Sequence, residues 1–392
     1  MLRRSPQHAA RSFACFAITA PGLEPLAERE LRALGHGDAA AEAGGVAFAA
    51  TRQELYRANL WLRTASRVIV RAAEFRARTF FELERQGARV PWEQFVGQEV
   101  GVRFRVTSRK SRLYHTDAVA ERLGAAVERR TGAAVLGVSE ADAEESDAAA
   151  GQLFIVRVAH DRCTVSADSS GALLHRRGYR QRVARAPLRE TLAAAMLLGA
   201  RWDGSAALLD PMCGSGTIAI EGAMLARRLA PGRGRDFAFM RWPDFDAALW
   251  RRLVDRAAEQ ALPASPVPLY ASDRDAGAVE ATRENARRAG VEDDLSISAR
   301  PLSASAPPPP APAAGFLVTN PPYGARIGDR APLRDLYAAL GALARTRLPG
   351  WTLALLSADR ALEAALGVPV EEVFRTSNGG IPVRLVVADL SS

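Results

Sequence analysis

The stretch "LLDPMCGSGT" (residues 208–217) ends an apolar run, turns on glycines and opens the helical-period segment "TIAIEGAMLARRLA". Strand, glycine turn and helix in that order form the nucleotide-binding corner of a doubly wound α/β fold. Two phosphate-binding loops are excluded. A P-loop requires a lysine before Ser or Thr, and a dinucleotide fingerprint requires a third glycine that Gly214 and Gly216 lack. Asp210 instead sets a carboxylate at the end of the strand, which suits a cationic ammonium better than a pyrophosphate. Gly214 and Gly216 let the backbone pass close to a flat or bulky ligand. Cys213 reads as a small side chain offering its amide, not as a nucleophile. Asp210, Pro211, Cys213, Gly214 and Gly216 are therefore the cofactor-binding candidates of this loop.

Working outward, strand "PLYASD" (268–273) places Asp273 where a carboxylate accepts hydrogen bonds from both hydroxyls of a ribose. A ligand with an amino-acid end and a ribose end is S-adenosylmethionine. Next comes "FLVTNPPYG" (316–324), an apolar strand opening into Asn-Pro-Pro-Tyr at the same edge of the sheet. An exocyclic amine on a nucleobase is a poor nucleophile because its lone pair is delocalised into the ring. The Asn320 side-chain oxygen and the Pro321 carbonyl can both accept from such an amine and push it towards a tetrahedral shape. Pro321 and Pro322 stiffen the loop, and Tyr323 offers a face on which an extracted base stacks. Asn320, Pro321, Pro322 and Tyr323 are the catalytic candidates. Transfer would be an in-line displacement driven by positioning and electrostatics, with no dedicated general base.

From residue 186 onward, apolar strands alternate with helices, which implies a parallel sheet covered on both faces. The end of the chain differs. "EEVFRTSNGGIPVRLVVADL" holds two strand-like runs around Asn378-Gly379-Gly380, a hairpin signal that makes the last strand antiparallel. The expected methyl-transfer domain spans 186–390, and the proline-rich run 303–315 reads as a surface loop within it.

The first 170 residues read as two small α+β modules with a boundary near residue 53, covering 13–53 and 54–168. In the second, "RFRVTSRKSRLYH" (103–115) mixes Arg109, Lys110 and Arg112 with aromatics, as RNA backbone and base contacts require; a solvated basic edge is the competing reading. Between the halves, the segment 169–185 carries Arg176, Arg177 and Arg180. It is either a solvated basic linker or a phosphate-facing hinge.

The bulk numbers agree with a soluble enzyme acting on a polyanion. The 392 residues are 48% hydrophobic and 24% charged, with a net charge of +8. Lys110 is the one lysine among 52 basic residues, a bias that codon composition explains better than function does. Cys15, Cys163 and Cys213 form no paired motif, so neither a disulfide framework nor a zinc ribbon is expected, and a reducing cytoplasm fits. No metal site, membrane span or export signal is expected.

The segments "LLDPMCGSGT", "SDRDAGAVEATRENARRAG" and "TNPPYGARIG" resemble class I methyltransferases acting on exocyclic amines of nucleic-acid bases. With "GALLHRRGYRQRVARAPLRETLAAAML", "FACFAITAPGLEPLAERELRALG" and "GGVAFAATRQELYRANLWLRTASRVIV", the chain resembles the bacterial THUMP-domain RNA methyltransferases. Among these it is most similar to the 23S ribosomal RNA guanine-N2 methyltransferases, in a form with a single methyltransferase domain. The resemblance implies a ferredoxin-like part and a THUMP RNA-docking domain ahead of a Rossmann-like catalytic domain. It also implies the catalytic and cofactor roles given above. Two departures stand out. The family's acid after the third strand, which binds the adenine amine, is absent from "SISARPLSASAPPPP", and the chain stops after "LVVADLSS", so one reaction is expected. Transfer RNA methylation, DNA amine methylation, glutamine methylation of a release factor and a non-catalytic ribosome assembly factor are the alternatives.

Overall fold

The computed structural model of the chain describes residues 12–97, 100–138, 151–181, 188–323 and 330–390. The acidic stretch 139–150, the part of the basic run at 182–187 and "GARIGD" (324–329) lie outside the described residues. The N-terminal half contains β1 (Phe13–Ile18), α1 (Glu24–Ala33), β2 (Ala40–Glu42), β3 (Gly45–Ala50), α2 (Arg52–Trp61) and β4 (Arg67–Arg76). It continues through α3 (Phe80–Gly87), β5 (Val102–Arg109), α4 (Thr116–Thr131), β6 (Val135–Val138), β7 (Gln152–Ala159) and β8 (Arg162–Asp168). Thr51 caps α2 in a capping box: its backbone N–H donates to Glu54 Oε2 at 2.7 Å, and Glu54 N faces its hydroxyl. Alternation along β5 buries Val102, Phe104 and Val106 and leaves Arg103 and Arg105 on the other face.

These strands form one eight-stranded sheet in the order β2-β3-β1-β4-β8-β7-β5-β6. Residue 53 falls in the first turn of α2. β4 pairs antiparallel with β1 on one side and with β8 on the other, so the two stretches separated at that residue share a sheet.

The second half runs α5 (Glu190–Gly199), β9 (Ala207–Asp210), α6 (Thr217–Ala226), α7 (Ala247–Glu259), β10 (Leu269–Asp273), α8 (Ala276–Ala289) and β11 (Leu295–Ala299). β12 (Gly315–Thr319), α9 (Arg330–Arg347), β13 (Trp351–Ser357), α10 (Arg360–Ala365), β14 (Glu371–Asn378) and β15 (Ile381–Asp389) complete it. The sheet order is β11-β10-β9-β12-β13-β15-β14, with β15 antiparallel to both neighbours. Leu208 points into the layer of α5, α6 and α8, and Leu209 into the layer of α9 and α10, so both faces are covered. Strand order reverses at β9, between β10 and β12, and this switch point is where ligands bind in open α/β sheets.

Residues 231–267, to which the sequence pattern assigns no element, join the two halves. Phe237, Phe239 and Trp242 belong to the core of the N-terminal half, and Phe239 stacks on Tyr56 at 4.2 Å between centroids. The Trp242 indole donates to Gln152 Oε1 at 2.8 Å, Phe239 N donates to Ser169 O at 3.1 Å, and Gly232 N to Leu60 O at 2.9 Å.

Candidate active site

The floor of the site is Asp210, at the end of β9. It is fully buried, and it accepts from the Thr319 hydroxyl at 2.8 Å and from Met212 N at 3.2 Å. Burial pushes its carboxyl up to about 7; the Thr319 and Met212 hydrogen bonds work against that shift, and the nearby Asp273 charge adds to it. A cationic group placed beside it would recover the ionised form.

The glycine turn is held from behind. Thr282 Oγ1 donates to Gly214 O at 2.9 Å, and Asn285 Nδ2 to Ser215 O at 3.0 Å. Gly216, the residue before α6, has φ +85°, and a Cβ there would lie 2.6 Å from Thr282 Cγ2. At Gly214 a Cβ would meet open space, since that residue faces a cavity. The Cys213 amide donates to Ser272 O at 2.9 Å, so this N–H serves the sheet and is not offered to a ligand. Burial, with Asp210 close by, pushes the Cys213 thiol far up, which leaves it inert. Asp273 accepts from Gly214 N and from Asp275 N, each at 3.0 Å. A carboxylate has about four lone-pair sites, so roughly two remain for a ribose.

Two cavities meet at the Asn-Pro-Pro-Tyr loop. One, of about 680 Å³, is lined by Asp210, Cys213, Gly214, Asn320, Pro321 and Tyr323, among others. The second, of about 510 Å³, is lined by Pro211, Asp273 and the apolar side chains of Leu302, Leu333 and Leu336. Met212, Asn320 and Pro322 border both. An elongated ligand reaching from Asp273 in the second cavity to Asp210 in the first would pass Asn320, which borders both. The residues present fit S-adenosylmethionine in this respect. Among the described residues Asp273 is the one carboxylate lining the second cavity, where an adenine would meet Leu302, Leu333 and Leu336.

Asn320 carries the decisive feature. Its Oδ1 is buried and has no hydrogen-bond partner among the described residues. Leaving such an acceptor unpaired costs roughly 1–3 kcal/mol, which a donor on an incoming group would recover. Tyr323 is held differently: its hydroxyl oxygen accepts from Asn378 Nδ2 at 2.6 Å, and its ring borders the larger cavity.

The sequence singled out neither Asn378 nor its neighbours Gly379 and Ile381 for the site, although all three line the larger cavity, as do Leu188 and Arg189. The Asn-Gly-Gly signal announced a turn; only the sheet order brings that turn over the site. Nor was Thr319 singled out.

The basic candidates divide. Arg109, Lys110 and Arg112 are exposed at the end of β5 and in the loop after it, beside Tyr114, which is 67% exposed. Asp161 fixes this loop by accepting from Arg112 N at 2.8 Å and pairing with Arg78 at 3.3 Å. Arg176 is also exposed. Arg177 and Arg180 turn inward. Arg177 donates to Leu174 O and Arg63 O at 2.5 and 2.6 Å and lies 3.5 Å from Glu221, while Arg180 binds Leu188 O and Glu190 Oε2, each at 2.7 Å. Arg177 clamps the halves together, joining Arg63 O of the first to Glu221 of the second, while Arg180 ties the connecting segment to the second half. Among the described residues, no cluster of His, Cys, Asp or Glu is placed to hold a metal, and no helix is long and apolar enough to cross a membrane.

A doubly wound sheet of this order, with an acidic glycine loop at its switch point and Asn-Pro-Pro-Tyr beside it, defines a class I methyltransferase. A family model described as the RMKL-like methyltransferase domain matches residues 177–386, and one described as the RlmL ferredoxin-like domain matches residues 14–69. The chain belongs to this RMKL-like methyltransferase family. A putative RNA methyltransferase of Synechocystis is 35% identical over 96% of this chain and 96% of its own. The ribosomal RNA large subunit methyltransferase K/L of Syntrophotalea carbinolica is 36% identical over 96% of this chain. The chain spans 53% of that protein, and about half of the other K/L relatives it matches. The crystal structure of SMU.472, a putative methyltransferase complexed with SAH, shares 31% identity, covers 97% of this chain and 98% of its own, and gives a TM-score of 0.84.

Proposed function

We propose that the chain transfers a methyl group from S-adenosylmethionine to the exocyclic N2 amine of a guanine in RNA, with 23S ribosomal RNA as the substrate. The observation that carries this reading is the buried Asn320 Oδ1, unpartnered among the described residues, where the two cavities meet. When bound, S-adenosylmethionine supplies an electrophilic sulfonium methyl. Asp210 would hold its ammonium and Asp273 its ribose. Asn320 Oδ1 and the Pro321 carbonyl accept the two amine hydrogens and draw the nitrogen lone pair out of conjugation. So prepared, the nitrogen would be poised to take the methyl, with the carbon–sulfur pair leaving on the thioether and the surplus proton going to water. Tyr323 supports the extracted base by stacking.

The RNA target is supported by the net charge of +8, by the exposed Arg109, Lys110 and Arg112, and by the printed names of the relatives. In this reading residues 13–53 are a ferredoxin-like part, 54–168 a THUMP unit that docks on folded RNA, and 186–390 the catalytic domain. Arg176 borders the RNA path. The enzyme acts in the cytoplasm, in keeping with three buried, unbridged cysteines.

The test is nucleoside mass spectrometry after incubating the protein and S-adenosylmethionine with unmodified ribosomal and transfer RNA. N2-methylguanosine in 23S RNA is expected. Methyl appearing on adenine, or only in transfer RNA, replaces the proposed target; intact cofactor binding without any transfer favours an assembly factor.

A further inference from the structure

The sequence announces the turn between β14 and β15 only as a turn, not as part of the site. Gly379 and Gly380 adopt φ +56° and +82°, as a tight hairpin with both central residues left-handed requires. The turn is held in register by pairs from Asn378 with Ile381 to Arg375 with Arg384. It stands over the larger cavity and contributes Asn378, Gly379 and Ile381 to its lining. Ile381 is 40% exposed, an apolar side chain bordering the cavity with much of its surface uncovered. Asn378 reaches across to Tyr323 through the 2.6 Å bond. In that bond the amide donates and the phenol oxygen accepts, so the Tyr323 O–H proton stays available as a donor.

We infer that this turn is the specificity-determining wall for the target base, with Asn378 as a positioning residue that fixes the Tyr323 ring and Ile381 as the apolar surface the base covers. The inference rests on the proposed transfer to a nucleobase and deepens it. A tyrosine that stacks a base must hold its ring plane while the base arrives. Proline at 321 and 322 stiffens the backbone that carries it, but χ1 and χ2 stay free without a tether at the far end of the ring. Asn378 supplies that tether from a different strand. Asp210 lines the same cavity from another element, so the wall is assigned to the base because its tether ends on Tyr323 and not on a candidate cofactor contact.

The experiment compares the full-length protein with Asn378→Ala, Tyr323→Phe, the double variant and Ile381→Ser. Methyl transfer to RNA and calorimetric affinity for S-adenosylmethionine are measured on each. Asn378→Ala and Tyr323→Phe should each lower kcat/KM for RNA about five- to tenfold, the worth of one neutral hydrogen bond. The double variant should lose no more than either single one. Ile381→Ser should raise KM for RNA and leave cofactor affinity unchanged. Additive losses, unchanged kinetics, or a parallel fall in cofactor affinity would overturn the assignment. The parent separates this inference from the functional reading: methyl on a base other than guanine refutes the reading, while the Asn378–Tyr323 coupling is scored on that base. A parent without any transfer is scored by the ¹⁹F signal of 3-fluorotyrosine at position 323. That resonance must shift in Asn378→Ala, and an unmoved signal refutes the tether.

Discussion

Asp210 should make cofactor binding depend on pH in a way that one substitution removes. Its carboxyl is raised from 3.8 to about 7 by burial, so near neutrality the free protein holds it about half ionised. A neutral carboxyl offers an ammonium little, whereas a buried carboxylate offers a full opposing charge. The ionised fraction grows about fifteenfold between pH 5.5 and 7, and affinity for S-adenosylmethionine should rise by about that factor. Above roughly pH 7.7 the ligand's own α-amino group titrates, so the gain levels and then reverses. The same shift has a stability consequence of opposite direction. Because the folded value exceeds the unfolded one, the favourable contribution of the neutral acid is complete below pH 3.8 and disappears as pH rises through about 7. The penalty at pH 8 is about 4 kcal/mol as an upper bound, from 1.36 kcal/mol per tenfold. Asp210→Asn keeps an acceptor for Thr319 and has nothing to ionise. It should raise the melting temperature of the free protein at pH 8 while weakening cofactor affinity and flattening its pH profile. Calorimetry at pH 5.5, 7 and 8 on both proteins measures this. A parent affinity that does not change between pH 5.5 and 7, or a variant with the parent's profile, refutes the argument.

Three further outcomes are expected. Asn320→Ala should cut methyl transfer by at least about a hundredfold, on the scale of losing an oriented acceptor, with cofactor affinity within a few-fold of the parent; equal turnover would remove the amide from the chemistry. Gly216→Ala should cost about 2 kcal/mol, since an L residue at φ +85° is strained and its Cβ meets Thr282; urea unfolding measures it, and an unmoved midpoint refutes it. Replacing Arg109, Lys110 and Arg112 together by glutamine should reduce the salt dependence of RNA binding by about two in log–log slope; an unchanged slope returns the loop to a solvated surface.

The catalytic half was legible in the sequence because its strands are buried on both faces. "LLD", "YASD" and "FLVTN" stand out as unbroken apolar runs ending in polar groups that a strand edge must present. The two cavities open at those ends, so reading the strands also picked out the candidates Asp210, Asp273 and Asn320 that line them. What stayed hidden depends on partners far away in sequence. Arg177 and Arg180 read as surface charge, yet their carbonyl and carboxylate partners on Arg63, Glu221 and Glu190 hold them inside. No local pattern shows whether an arginine faces water or a buried carboxylate. The aromatic insertion at 237–250 carries no single period, because Phe237, Phe239 and Trp242 pack on a surface built by the other half.

That insertion bears on how the two halves work together. Were the halves joined by a flexible linker, RNA docked on the N-terminal sheet would present its target nucleotide over a broad range of positions. The joint is instead buried and polar at the arginine clamp, and aromatic at the insertion. It also reaches the wall of the site. A Cβ on Gly22, in the loop after β1, would lie 1.8 Å from the backbone oxygen of Arg375 in β14. The strand that carries Asn378 thus rests directly on the N-terminal half. Glycine is required there both by that approach and by its φ of +87°. Gly22→Ala must therefore push β14 away from the N-terminal half and, through Asn378, disturb Tyr323. Transfer to RNA should fall in this variant while affinity for S-adenosylmethionine stays near the parent value, because Asp210 and Asp273 belong to strands that Gly22 does not touch. Equal losses of transfer and cofactor affinity would show that the contact serves overall stability and not the alignment of base with donor.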